Sequence, residues 1–448
     1  MTPTPAIRKP RRRAPPSRHL VAKLLEWRDR RGLITHCALP EQKERPDVWT
    51  LCEDYGDDDY DAMDEDEDRN AAYSRAFAAV SPTHKRWLEI GCGASAMLTR
   101  LALDAAPNAL VTAFEVNPKS AEAARRRLAS IEDEDEDEGA PPRFEVLTGR
   151  STQPELVNPM LRQRGFGVVL HEVFGLFASS EGCARMLAHA RSTYLSKANR
   201  YSPKPLLIPA RCATFFTACW LRPRDLGACE TVSCSAAPQR RPKLLLAPAA
   251  PLARMALCAR SCCLEAYDFA PDAPELQLVQ RRSHELHIAR AGELNCLGCF
   301  LWVDLGIGEP ALGDAAPPPA DDDDDDGPFD GAFPFGDESA LSLLPTLAAA
   351  APGQPRSRLN DFTSLCCDET QASHTYASNW QNPLLLLPRP ARVAPGDTVR
   401  VVTRVDADSL RPTYHFEATL HRAAGGGEVS LGRLEVSLDD LYPDMGDL

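Results

Sequence analysis

The sequence predicts a doubly wound α/β unit followed by an antiparallel β region, and three observations carry that reading. Between residues 86 and 220, short apolar runs alternate with stretches of helical spacing. A glycine turn, Gly91-Cys92-Gly93, directly follows the first apolar run. After residue 205 the helical periodicity fades, and β-rich runs follow one another.

Taken in order, Trp87-Leu88-Glu89-Ile90 is the first strand, ended by the glycine turn. Ala94 to Ala106 has helical spacing, with Ala96, Leu98, Leu101 and Leu103 apolar. Leu110 to Glu115 is the second strand and Lys119 to Ile131 the second helix. Arg143 to Leu147 and Gly167 to His171 are the third and fourth strands. Beyond them, Cys212 to Leu221, Leu286 to Ala289, Cys299 to Leu305, Thr398 to Val405 and Tyr414 to His421 read as strands of a β barrel or sandwich. The division expected is a basic tail and entry helix at 1–45, a nucleotide-type unit at 46–205 and a β domain at 206–448.

Composition bounds the rest. The 448 residues are 44% hydrophobic, enough for a real core, so global disorder is excluded. The net charge of −14 suits a basic protein partner and argues against direct nucleic-acid binding. No apolar run is long enough for a membrane helix, and the Pro- and Arg-rich start from Met1 to His19 lacks the apolar core of a secretory signal. The basic cluster at 8–13 reads as a nuclear localisation signal, part of an organellar transit peptide, or a solvated tail. The expected location is therefore cytoplasmic or nuclear, with organellar transit open. Acidic blocks at 53–68, 132–138 and 321–326 read as solvated segments, the last within a disordered insert near 308–355. The 15 cysteines read as reduced thiols. Cys296 and Cys299 form a CxxC downstream of His284 and His287, but no second CxxC stands at zinc spacing, so no metal site is expected.

A glycine turn after the first strand lets a ligand approach the backbone, and a carboxylate at the tip of the second, Glu115, is placed for ribose hydroxyls. Glu89, just before the turn, is a poor neighbour for pyrophosphate. A cationic cofactor without phosphate, S-adenosyl-L-methionine, suits these acids better.

The residues Trp87 to Gly93 resemble motif I of class I methyltransferases. His171 to Glu181 resembles the "double-E" loop of the protein arginine N-methyltransferases, whose two glutamates stand nine residues apart, as Glu172 and Glu181 do. Tyr60-Asp-Ala-Met63 followed by Asp68-Arg69-Asn70 resembles that family's N-terminal helix, closest to its monomethylating (type III) branch. Ile208-Pro209-Ala210-Arg211 resembles the crossing into its β barrel, and Ser378-Asn379-Trp380-Gln381 its "Thr-His-Trp" loop. The resemblance covers roughly residues 53–425, and Ser95, Gly167, His171 and Asn379 differ from its pattern.

The resemblance implies a Rossmann-like class I methyltransferase domain, then an antiparallel β-barrel domain, and methyl transfer from S-adenosyl-L-methionine to arginine in Arg-rich proteins. It implies Glu172 and Glu181 as the carboxylates that grip the guanidinium. Arg69 would hold the cofactor's carboxylate, with Met63, Glu89, Gly91, Gly93 and Glu115 around the cofactor. Tyr60, Asn379 and Trp380 would line the arginine pocket, and a homodimer is implied. Two alternatives stay open: a class I methyltransferase with another acceptor, and a silent relative acting as a scaffold for Arg-rich proteins.

Overall fold

The computed structural model describes residues 64, 66–132, 143–196, 203–225, 230–231, 244–247, 252, 254–306, 361–363, 381–423, 425 and 427–441. The basic cluster at 8–13, the acidic blocks at 133–138 and 321–326, and residues 53–63 and 65 of the first acidic block lie outside these residues. So do Tyr60, Met63, Asn379, Trp380 and the expected insert beyond residue 306.

Helix α1 (Glu67–Val80) opens the described chain, capped by the Asp66 side chain, which accepts from the Arg69 amide at 3.0 Å. Strand β1 (Arg86–Ile90), helix α2 (Met97–Ala105), β2 (Leu110–Glu115), α3 (Pro118–Glu132) and β3 (Phe144–Thr148) follow. Then come α4 (Pro159–Arg164), β4 (Val168–His171), α5 (Cys183–Thr193) and β5 (Leu206–Ile208). The strands form one parallel sheet in the order β3-β2-β1-β4-β5. The chain reverses its winding between β1 and β4, so the crevice at their carboxyl ends is where such a sheet binds ligands. The central strands β1 and β4 are buried on both faces because helices cover both. On one side Tyr73 and Phe77 of α1 pack near Trp87 of β1, with Phe77 edge-on to the indole at 5.5 Å.

Helix α2 starts three residues later than the expected Ala94. Gly91, Gly93 and Ala96 hold φ of 75°, 63° and 47°, so the turn extends through the run that spacing alone assigns to the helix. Gly167, which differs from the family pattern, has a local reason. A Cβ there would lie 2.7 Å from the His84 ring, which is itself held by the Lys204 carbonyl at 3.0 Å and the Thr83 hydroxyl at 2.8 Å.

From β6 (Arg211–Cys219) onward the chain is antiparallel, through β7 (Glu230–Thr231), β8 (Leu244–Ala247), β9 (Cys262–Asp268), β10 (Val279–His287), β11 (Gly292–Asp304) and β12 (Asp361–Thr363). It continues through β13 (Asn382–Val393), β14 (Thr398–Asp406), β15 (Thr413–His421), β16 (Glu428–Ser437) and the short helix α6 (Leu438–Leu441). One sheet runs β7-β8-β13-β11-β6-β9 with β12 on β11, and a second runs β10-β14-β15-β16. Their facing sides share a core with the α/β half, which includes Phe216, Leu297, Leu385, Val401 and Phe416. No described helix is long and apolar enough to cross a membrane.

The CxxC lies inside β11. Residues three apart on a strand point to opposite faces. Cys296 accordingly packs in one apolar cluster and Cys299 in another, so the two thiols do not face a common centre. Among the described residues no group of three or more metal-ligating side chains converges.

Candidate active site

The cleft at the carboxyl ends of β1, β2 and β4 is lined by Arg69, Glu89, Gly91, Gly93, Glu115, Glu172 and Glu181 together with Asp64, Arg150, Ser151 and Met186. Its volume is about 110 Å³ as room for the centre of a water-sized sphere. One water needs roughly 10–15 Å³ on that scale, so the cleft takes a ligand rather than a lone water.

The turn after β1 is fixed by backbone bonds: the Gly91 and Cys92 amides donate to the Phe114 carbonyl at 2.9 and 3.1 Å. Positive φ permits this tight path, and a Cβ on Gly91 would stand 3.1 Å from Val173 and narrow the cleft. Glu115 caps β2 with its carboxylate aimed across the same turn. One oxygen accepts from the Gly93 amide and the other from the Asn117 amide, each at 2.8 Å. The group is therefore held in place before any ligand arrives, with further lone pairs on each oxygen.

Glu89 is 1% exposed and accepts from the Thr99 hydroxyl. Burial pushes its carboxyl up to about 7, the Thr99 bond works against that, and the neighbouring Glu115 and Glu172 charges add to it. Burial also raises the Glu115 carboxyl, against the pull of the backbone amides that bind it. Four glutamates and Asp64 line the cleft beside Arg69 and Arg150, so acids outnumber bases and the lining suits a ligand that carries positive charge together with a carboxylate.

Glu172 follows β4 directly, and Glu181 lies at the far end of the same loop, beside the Gly182 cap of α5. The sequence assigned Arg69 and Glu172 to different ligands, and the structure pairs them. Arg69 Nε donates to Glu172 Oε1 at 2.6 Å, Nη2 donates to Oε2, and Nη1 donates to the Asn70 side chain at 2.7 Å. The fork is bidentate and nearly dry, with side chains 5% and 6% exposed. Burial works against the Arg69 charge, and the neighbouring Glu172 outweighs it, so the Arg69 pKa is pushed further up. Glu172 thus already grips a guanidinium, and a carboxylate has about four lone-pair sites, so it has capacity for a second.

Behind the loop, His171 is wholly buried, with the Phe174 and Phe269 rings 5.0 and 5.5 Å away. Its Nε2 donates to the Pro209 carbonyl at 3.1 Å, and burial lowers its pKa to about 3. It is a neutral joint between the α/β half and the β half. Sequence reasoning missed Ser151, Arg150 and Met186. The first two sit in the loop after β3, where neither spacing nor charge distinguishes them from solvated loop residues.

No family model and no curated protein sequence matches the chain. Solved structures do. Protein arginine methyltransferase 10 of Arabidopsis thaliana, in a uniquely open conformation, aligns over 87% of this chain and 99% of its own at a TM-score of 0.54 and 13% identity. The Trypanosoma brucei PRMT1 enzyme-prozyme heterotetrameric complex with AdoHcy aligns over 84% of this chain and 97% of that one, at 0.51 and 12%. At such identities the likeness shows the fold: a Rossmann-like parallel α/β unit followed by an antiparallel β domain.

Proposed function

We propose that this chain is an S-adenosyl-L-methionine-dependent protein arginine N-methyltransferase acting on Arg-rich proteins. The observation that carries the reading is the convergence of the motif I turn, Glu115, Arg69 and both double-E glutamates on one cleft. The structural likeness to arginine methyltransferases supports it.

The cleft fits the cofactor on its own terms. Glu115 offers oriented oxygens to a pair of hydroxyls, Gly91 leaves the space a Cβ would fill, and the acidic lining suits a sulfonium and an ammonium. When bound, S-adenosylmethionine supplies an electrophilic methyl group. Everything else falls to the chain. Arg69, at the cleft wall, holds Glu172 in one orientation, and its guanidinium is within the cleft for the cofactor's carboxylate. Glu172 and Glu181 bind the substrate guanidinium by charge-assisted bonds and aim one nitrogen along the displacement line. Positioning is the main contribution, because methyl transfer is a direct displacement. The proton released from the methylated nitrogen passes to a carboxylate of the pair or to water.

A second reading rests on the Arg69–Glu172 fork. If that pair is permanent, the cleft already holds its own arginine, and the protein is a silent relative that captures Arg-rich partners. One experiment separates them. The full chain is incubated with S-adenosylmethionine and an Arg-rich peptide, and the peptide is weighed by mass spectrometry. A gain of one methyl or more supports the enzyme, and binding of cofactor and peptide without transfer supports the scaffold.

A further inference from the structure

Glu265 lies on β9, in the β half, at an inward position with no exposure to solvent. Oε1 accepts from the Ser179 amide at 3.2 Å and from the Thr214 hydroxyl at 2.7 Å. Oε2 accepts from the Ser179 hydroxyl at 2.5 Å and the Tyr267 hydroxyl at 3.0 Å. These neutral donors satisfy both oxygens, so a carboxylate can reside there at a bearable cost. The cluster extends further: Thr214 also accepts from the Ala178 amide at 2.8 Å, and the Ser179 hydroxyl meets the Tyr414 hydroxyl of β15 at 2.8 Å. Thr214 and Glu265 are direct partners on β6 and β9, and a register shift follows immediately, between Thr214 and Phe215. Bulges of this kind re-aim side chains.

This cluster meets the double-E loop at two residues in its middle, Ala178 and Ser179. The loop's own turn is rigid: the Ser180 amide donates to the Phe177 carbonyl at 3.0 Å and the Gly182 amide to the Ser179 carbonyl at 2.9 Å. Glu181 sits inside that turn, two residues from the clamped serine, so a shift of Ser179 is a shift of Glu181.

We propose that Glu265 is the positioning residue of the double-E loop, holding Glu181 at the height needed to grip a guanidinium. The inference rests on the arginine-methyltransferase reading for its consequence, but the clamp itself is tested independently. In E265Q one oxygen is replaced by a donor amide facing donors, so at least one leg of the clamp is lost while volume is kept. Hydrogen exchange of the full chain is expected to show amides 177–182 of E265Q exchanging about tenfold faster or more, with β1 and β2 unchanged. Turnover on an Arg-rich peptide is expected to fall about 10- to 100-fold, or its KM to rise by as much, because the chemistry depends on position to within about an ångström. Affinity for S-adenosylhomocysteine stays within about twofold, which a general loss of folding would not spare. S179A, which removes only the hydroxyl leg, is expected to move the same readouts less, and it decides the matter if E265Q does not fold.

Unchanged loop protection in E265Q, or in S179A where E265Q is unfolded, overturns the proposal. So does a loosened loop with wild-type peptide kinetics, or cofactor affinity falling in parallel with turnover. A wild type inert toward every Arg-rich peptide defeats the arginine-methyltransferase reading instead, and the exchange data still report whether Glu265 holds the loop.

Discussion

At the scale of single residues, two glutamates separate the tasks of the cleft. Glu172→Gln keeps the shape of the side chain and loses its charge. Charge-assisted bonds are roughly twice as strong as neutral ones, so methyl transfer is expected to drop by about two orders of magnitude or more. Cofactor affinity should fall by less, through the loosened Arg69 alone, since Glu115 and the glycine turn are untouched. A radiolabelled-methyl assay and calorimetry on the same preparation check both halves. Glu89 gives a pH signature. Burial raises its carboxyl to about 7, with Glu115 and Glu172 adding to the shift, and a cationic ligand favours the ionised form. The bound pKa is therefore lower than the free one. Affinity for S-adenosylmethionine should rise with pH up to about 7, level off above it, and be accompanied by proton release below it. Calorimetry in two buffers of different ionisation enthalpy measures that release, and E89Q should abolish it. A flat profile in the wild type would remove Glu89 from the site.

At the scale of elements, β4 begins at the residue after a glycine, and His84 is the reason. Gly167→Ala places a methyl 2.7 Å from a ring tied at both nitrogens, so it is expected to cost about 1–3 kcal/mol of stability. Denaturant titration measures this, and G167A combined with H84A should recover part of the loss. Four of the five parallel strands were legible, and β5, three residues long, was too short for a pattern to mark it. Leu110 to Glu115 reads as a strand from its apolar run and is one, residue for residue. β13 was illegible because Pro383, Pro388 and Pro390 lie within it, and prolines argue against a strand. β16 was missed because a register shift opposite Ala418 and Thr419 breaks the alternation that marks a half-buried strand. Within the site, Glu172 and Glu181 were found through the resemblance of their loop to the double-E loop, and the glycines through their turn. The union of Arg69 with Glu172 was not, since 103 residues separate them and no local signal joins them. Glu265 was equally hidden, for a glutamate among apolar strand residues reads as a face exposed to solvent until its partners are seen.

At the scale of the whole molecule, charge is the property that partners meet first. A chain at −14 facing an Arg-rich substrate should gain association rate at low salt, and screening beyond ~8 Å at physiological ionic strength should erode it. The KM for a basic peptide is expected to rise steadily with added salt, and a KM that stays flat would count against this steering.

The backbone grip on Glu115 reaches beyond recognition. Its two anchoring amides come from the turns that leave β1 and β2, and those turns exist only once the strands are paired. A partly folded chain therefore has no nucleoside site to offer, and the ligand distinguishes native from non-native molecules. S-adenosylhomocysteine at about 100 times its Kd should stabilise the native state by about 2.7 kcal/mol. Thermal melts at increasing ligand should shift upward logarithmically, and E115A should flatten that slope. The cofactor would then serve the cell as a measure of how much of this protein is correctly folded.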